Sequence, residues 1–194
     1  MSKLSRENLY SLEQYSDMRP EFRQQVMEHK KNRRIFLGEN ATLYFESELT
    51  MRYQVQEMLR IEKIFDNEGI QEELNAYNPL IPDGKNWKAT FMIEFSDEND
   101  RKEALAKMIG IEEKVYVKVD GFNPVWAIAD EDLERDTEEK TSSVHFMRFE
   151  LSDEMITALR NDSALSMGIE HPAYTVKIDI NDQAIRDTLI EDLH

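Results

Sequence analysis

Between Thr50 and Gly84 the apolar positions recur at helical spacing: Met51, Val55, Met58, Leu59, Ile61, Ile64 and Phe65. Gln54, Glu57, Arg60 and Glu62 are threaded among them. Apolar groups on so much of the circumference predict a helix, over about Glu48 to Asn67, buried on more than one side. Polar side chains on its inner faces then need partners, because an unpaired buried charge is costly. Either they form an internal ion-pair network or they line a site. Gly69 is placed to end this helix, and a shorter one is expected from Ile70 to Tyr77. The segment Asn78-Pro79-Leu80-Ile81-Pro82-Asp83-Gly84 is irregular by its two prolines and closing glycine. Its apolar content lays it against the core, as a structured crossover or as the wall of a pocket.

The opening residues read as helix, break, helix. Ser5 is the first N-cap, with Asn8 where a capping box would have Glu. Pro20 suits the first turn of the second helix, which carries Phe22, Val26 and His29 on one face and stops near Asn32. Arg34–Leu37 and Ala41–Glu46, joined at Gly38-Glu39-Asn40, predict a hairpin. Beyond the central helices, Trp87–Phe95 is a long strand. Ser96 or Asp97 caps a helix through Met108, closed by Gly110. Val115–Val119 and Val125–Ile128 flank a turn and predict a second hairpin. Ser143–Leu151 is a strand whose apolar residues do not split between its faces, so both faces are expected to be covered. Ser152 caps a helix to Leu159. Ala164–Ile169 and Tyr174–Ile180 are strands with His171-Pro172 at their corner, and Asn181 or Asp182 caps a last helix through Leu193. Strands that pair as hairpins, without strict βαβ alternation, predict an α+β fold. The expected architecture is a mostly antiparallel sheet of short strands, packed against the long central helix and several shorter ones. A chain of 194 residues without a low-complexity linker suits one domain, 1–194.

Charge and composition narrow the function. The formal net charge is -16, which repels nucleic acid and anionic membranes at long range. Aromatic residues sit in strands at Trp87, Phe91, Phe146 and Phe149, as in an RNA-reading sheet, but with few cations beside them. No nucleic acid and no membrane partner is expected. Cysteine is absent, which removes disulfides, thiolate metal sites and cysteine nucleophiles. The N-terminus lacks the apolar core of a signal peptide, and no run approaches the roughly 18 apolar residues of a membrane span. The expected location is the cytoplasm. One basic cluster, Lys30, Lys31, Arg33 and Arg34 beside His29, reads as a cationic helix end or as a docking patch for an acidic partner or a phosphate. Asp130–Lys140 holds seven acids and two bases. It reads as a solvated loop, without the ligand spacing of a calcium loop.

No phosphate loop, dinucleotide turn, zinc-protease helix or nucleophile elbow is present. The remaining chemistry lies in carboxylates, arginines and scarce histidines. Glu57 and Arg60 are three apart, within ion-pair reach on one helix face, whereas Glu62 lies about 140° around from Glu57. His145 shares a strand with Arg148 and Glu150, and His171 precedes a proline. The candidate site, for a metal or a small anion or for catalysis, is therefore Glu57, Arg60, His145, Arg148 and His171. Glu57, His145 and His171 are the metal candidates, of a type suited to iron, manganese or zinc. A packed core histidine and a corner histidine bonded to backbone is the plainer account. On that account no cofactor is expected, and catalysis is left open.

ATLYFESELTMRYQVQEMLRIEKIF (Ala41 to Phe65), EELNAYNPLIPDG (Glu72 to Gly84), KATFMIEF (Lys88 to Phe95), VHFMRFEL (Val144 to Leu151) and MGIEHPAY (Met167 to Tyr174) resemble a bacterial domain-of-unknown-function family, number 3501. YQVQEMLR followed by YNPLIPDG is the specific part. The family has no assigned activity, so the resemblance supplies no catalytic residues. Its genes often neighbour those of rubrerythrin and of an iron–sulfur oxidoreductase. The resemblance thus implies a cytoplasmic bacterial protein linked to a redox or peroxide-defence system. With the acidic surface and the missing catalytic motifs it suggests a non-catalytic accessory or interaction protein, with either of those two proteins as a partner. A homo-oligomer is the other association open to it.

Overall fold

The computed structural model describes residues 3–194. Met1 and Ser2, which begin the segment read as lacking a signal peptide, lie outside them. In chain order the elements are α1 (Leu12–Lys31), β1 (Arg34–Phe36), β2 (Ala41–Phe45), α2 (Glu48–Glu62), α3 (Asn67–Tyr77), β3 (Asn86–Ile93) and α4 (Glu98–Lys107). They continue with β4 (Val115–Val119), β5 (Val125–Trp126), β6 (Ile128–Ala129), β7 (Val144–Glu150), α5 (Asp153–Arg160), β8 (Leu165–His171), β9 (Tyr174–Asp179) and α6 (Gln183–Ile190). The fold is α+β, as the hairpin pattern predicts. Its strands form two antiparallel sheets rather than one, in the orders β1-β2-β3-β7-β6 and β5-β4-β8-β9. One apolar cluster draws on both sheets and on α4, α5 and α6, and the helices α1–α3 hold two smaller clusters of their own.

Three expectations about the helices are corrected. The N-terminal break falls before Ser11, and Pro20 lies inside a single long α1. An interior proline costs about 3 kcal/mol, which the buried face of α1 offsets. Tyr15, Phe22 and Val26 pack with Tyr53 of α2, and the Phe22 ring meets Tyr10, Tyr15 and Tyr53 edge-on at 6.1, 6.2 and 5.9 Å. The central helix ends at Lys63, which takes a left-handed φ of 57°. Gly69 belongs to the first turn of α3, where its N–H donates to Asp66 Oδ1 at 2.8 Å. Burial of α2 on two sides is real: Met51, Val55 and Leu59 meet Ile70 and Leu74 of α3, and Tyr53 meets α1. It stops at Leu59, leaving Ile61 60% exposed, and Phe65, just past the helix end, is 75% exposed. The buried polar residue Gln56 has its partner, since its Oε1 accepts the Tyr10 N–H at 2.6 Å.

Two features of the strands bring a histidine and an acidic loop together. Along β7, His145, Met147 and Phe149 are buried while Phe146 and Arg148 are half-buried, so the residues do split by face and His145 shares the core side. The second hairpin is also divided. Trp126 pairs with Tyr116 in one sheet and Ile128 pairs with Arg148 in the other. The chain therefore crosses between sheets at Ala127 and delivers Asp130 beside β7, where its N–H donates to the Phe146 carbonyl at 2.8 Å.

Of the basic cluster, His29, Lys30 and Lys31 occupy the last turn of α1, as the helix dipole favours. Arg33 is buried and unavailable for docking. Its guanidinium donates to the carbonyls of Phe45, Thr188 and Glu46 at 3.0, 3.0 and 2.9 Å and pairs with Asp192. Burial pushes the Asp192 carboxyl up while Arg33 pulls it down. Among the described residues no helix is long and apolar enough to cross a membrane.

Candidate metal centre

Because His145 faces the core, its ring must find partners there. They come from the acidic loop that follows β6. Nδ1 lies 2.6 Å from Asp130 Oδ2. A carboxylate only accepts, so Nδ1 donates. Asp130 is itself fixed: its Oδ1 accepts the Phe146 N–H at 3.0 Å and Arg135 Nη1 at 2.9 Å. Arg135 also grips Asp132 and lies over the Phe146 ring, 4.7 Å from its centroid. The other nitrogen, Nε2, is 2.9 Å from Thr141 Oγ1 and 3.0 Å from the Ser142 carbonyl.

The Thr141 hydroxyl donates a hydrogen bond to Asp136 Oδ1, and the other oxygen of Asp136 accepts the Gly110 N–H at 2.9 Å. Glu112 enters from the 3-10 turn Ile111–Lys114. Its Oε2 is buried and has no hydrogen-bond partner. Burial pushes the Glu112 carboxyl up, Asp136 and Asp130 add to this, and its own backbone N–H and His145 oppose. One ligand atom from each of Glu112, Asp136 and His145 lies within 4.8 Å of the others. The group opens on a cleft of about 530 Å³ lined by Glu113, Ile128 and Glu134. With Nδ1 protonated toward Asp130, the lone pairs of Nε2, Thr141, Ser142, Asp136 and Glu112 converge with too few protons among them. A second ring proton or a cation resolves that excess.

The other candidates lie in different surroundings. Glu57 does pair with Arg60, at 3.2 Å, but its main partner is Arg19 of α1. Arg19 donates to both carboxylate oxygens at 2.7 and 2.9 Å. Tyr15 adds its hydroxyl at 2.7 Å. Arg19 above all, then Tyr15 and Arg60, hold the Glu57 carboxyl down at about 2 against the opposing effect of burial. All of these partners belong to α1 and α2, and none is a histidine. His171 sits at the β8–β9 corner, its Nε2 3.1 Å from the Ile109 carbonyl and its Nδ1 accepting the Ala173 N–H at 3.1 Å. Arg148 is bound by Glu131 and Glu150. Of the sequence candidates, the structure joins Glu57 with Arg60 and places His145 in a cluster with other residues.

Asp130 and Asp136 were missed because the acidic run reads as solvated, and Glu112 because it comes from a short turn remote in sequence from His145. The available signal was the phase of His145 with Met147 and Phe149. An inward histidine needs buried polar company, and that run is the nearest supply of acids.

This is an α+β protein of two antiparallel sheets with a carboxylate–histidine cluster where the chain passes between them. The sequence profile of the family described as protein of unknown function (DUF3501) matches residues 3–193, and the chain belongs to that family. It is similar to a crystal structure described as a novel protein of unknown function from Burkholderia pseudomallei K96243. The two are 50% identical over 100% of both chains, with a TM-score of 0.93. No curated protein matches the chain.

Proposed function

We propose that the protein binds a divalent first-row transition metal through Glu112, Asp136 and His145. The observation that carries this reading is the buried, partnerless Oε2 of Glu112 beside His145. One imidazole and two carboxylates suit manganese, iron or zinc. Asp130 on Nδ1 supplies the outer carboxylate that typically orients a ligating histidine. The cleft gives an ion a path from solvent. The test is titration of chelator-treated protein with Mn2+, Fe2+ or Zn2+ by calorimetry, with native mass spectrometry for stoichiometry. One ion per chain is expected. Asp130→Asn should weaken it by about 10- to 100-fold, and Glu112→Gln by at least as much. No binding of any of the three ions up to about 1 mM, or unchanged affinity in both folded variants, overturns it.

A second reading, of an accessory protein for a cytoplasmic redox or peroxide-defence system, is favoured by the exposed Ile61 and Phe65. Exposed apolar side chains grouped at a helix end suit a protein contact. The identity of the partner, rubrerythrin or an iron–sulfur oxidoreductase, rests on the family resemblance. Association with either at about 10 μM that Phe65→Ser abolishes supports it. Self-association through the same patch, or no association, counts against it.

A further inference from the structure

On the face of the first sheet opposite to that of His145, a groove of about 690 Å³ runs between the end of α3 and β7. That volume lies in the range of small-molecule sites. Tyr77 and Leu80 form one wall, Phe146 the other, and Lys88 and Arg148 line it together. Lys88 and Arg148 are directly opposed in the β3–β7 register. Their charges are in different states. The Arg148 guanidinium meets Glu131 at 3.0 and 2.9 Å and also bonds Glu150. The half-buried Lys88 ammonium makes no hydrogen bond or ion pair among the described residues. Burial, and then the Arg148 charge, push its pKa down. The ammonium thus has no direct counter-ion; Glu131, Asp83 and Glu150 act on it only through space.

We propose that this groove binds a small amphipathic monocarboxylate, its head on Lys88 and its apolar body between Tyr77, Leu80 and Phe146. The single uncommitted cation sets the head-group charge at one. Glu131 and Asp132 also line the groove and repel a dianionic phosphate about twice as strongly as a monocarboxylate. The apolar walls set the body. The site shares no ligand residue with the metal cluster, so it is tested in the full-length protein with and without a chelator.

The probes are octanoate and 1-octanol, followed by calorimetry and by amide shifts of Phe146 and Lys88. Saturable binding of octanoate, unchanged by the chelator, is expected. Lys88→Met should weaken octanoate by at least about tenfold and leave 1-octanol unaffected. Lys88→Gln, which keeps a polar side chain, should lose octanoate equally, and matching thermal melts establish that both variants fold. Three outcomes overturn the proposal: no saturable octanoate binding up to about 1 mM, octanoate affinity retained in either folded variant, or 1-octanol binding as well as octanoate.

Discussion

Glu57 and Glu112 are two partly buried glutamates with opposite surroundings. Glu57 receives four hydrogen bonds from Tyr15, Arg19 and Arg60, two on each oxygen. Its carboxyl is held at about 2. Glu112 has an oxygen buried without any donor, beside two more carboxylates, and its carboxyl is pushed up. A carboxylate saturated by protein donors has no capacity left for a ligand, and it fastens one element to another. A carboxylate short of donors stabilises nothing until a cation or proton arrives. Scarcity of donors therefore separates a binding site from a brace.

The contrast breaks most readily at Glu57. Glu57→Ala takes the shared acceptor from Tyr15 and Arg19 and should lower stability by about 2 kcal/mol, read from urea midpoints. A loss under about 1 kcal/mol would mean the network braces nothing. The same brace should fail in acid. The folded carboxyl lies below its ordinary 4.5, so its contribution is present above that value and is lost as pH falls toward 2. Discounting for the exposed arginines, it is about 2 kcal/mol. The stability difference between wild type and Glu57→Gln should accordingly shrink between pH 5 and about pH 2; a constant difference contradicts this.

At Glu112 the sign reverses. Glu112→Gln in metal-free protein removes a donor-starved charge and should raise stability by about 1 kcal/mol while it abolishes tight metal binding. Destabilisation on the scale of Glu57→Ala would place both glutamates in the same structural class. Smallest is Arg60→Ala, at about 0.5 kcal/mol, because Arg60 is 42% exposed and Arg19 remains. An Arg60 effect larger than that of Arg19→Ala would make the local pair, not the bridge between α1 and α2, the source of the strength.

The sequence made the hairpins legible because period-2 alternation and turn residues are local. It also showed the Glu57–Arg60 pair, which needs only three residues of helix. Arg19 lies 38 positions from Glu57, and nothing in either segment announces the meeting. Pro20 was misplaced since its intrinsic cost is local, while the burial of Tyr15, Phe22 and Val26 that offsets it is tertiary. Lys63 in place of Gly69 as the helix end is of the same kind: a left-handed lysine is unfavourable locally and held by its surroundings. The metal cluster was least legible. His145 was visible, but Glu112 and Asp136 reach it from a short turn and an irregular loop, and the crossing at Ala127 that brings the loop there has no sequence signature.

Arg33 bears on how the chain reaches this state. Two of its four acceptors, the Thr188 carbonyl and the Asp192 carboxylate, lie 155 and 159 residues further on. The Trp87 indole likewise waits for Leu189, 102 residues away. Contacts of such separation form late, because chain closure precedes their reward. Until α6 docks, the Arg33 guanidinium lacks two of its four acceptors and the Trp87 indole N–H lacks the Leu189 carbonyl, and a collapsed sheet is penalised rather than trapped. The last helix thus checks the sheet: only when the chain leading into β1 is paired with β2, and β2 with β3, are both donors presented to it. Pulsed hydrogen exchange in which α6 amides gain protection as early as those of β2 and β3 would contradict this order of events.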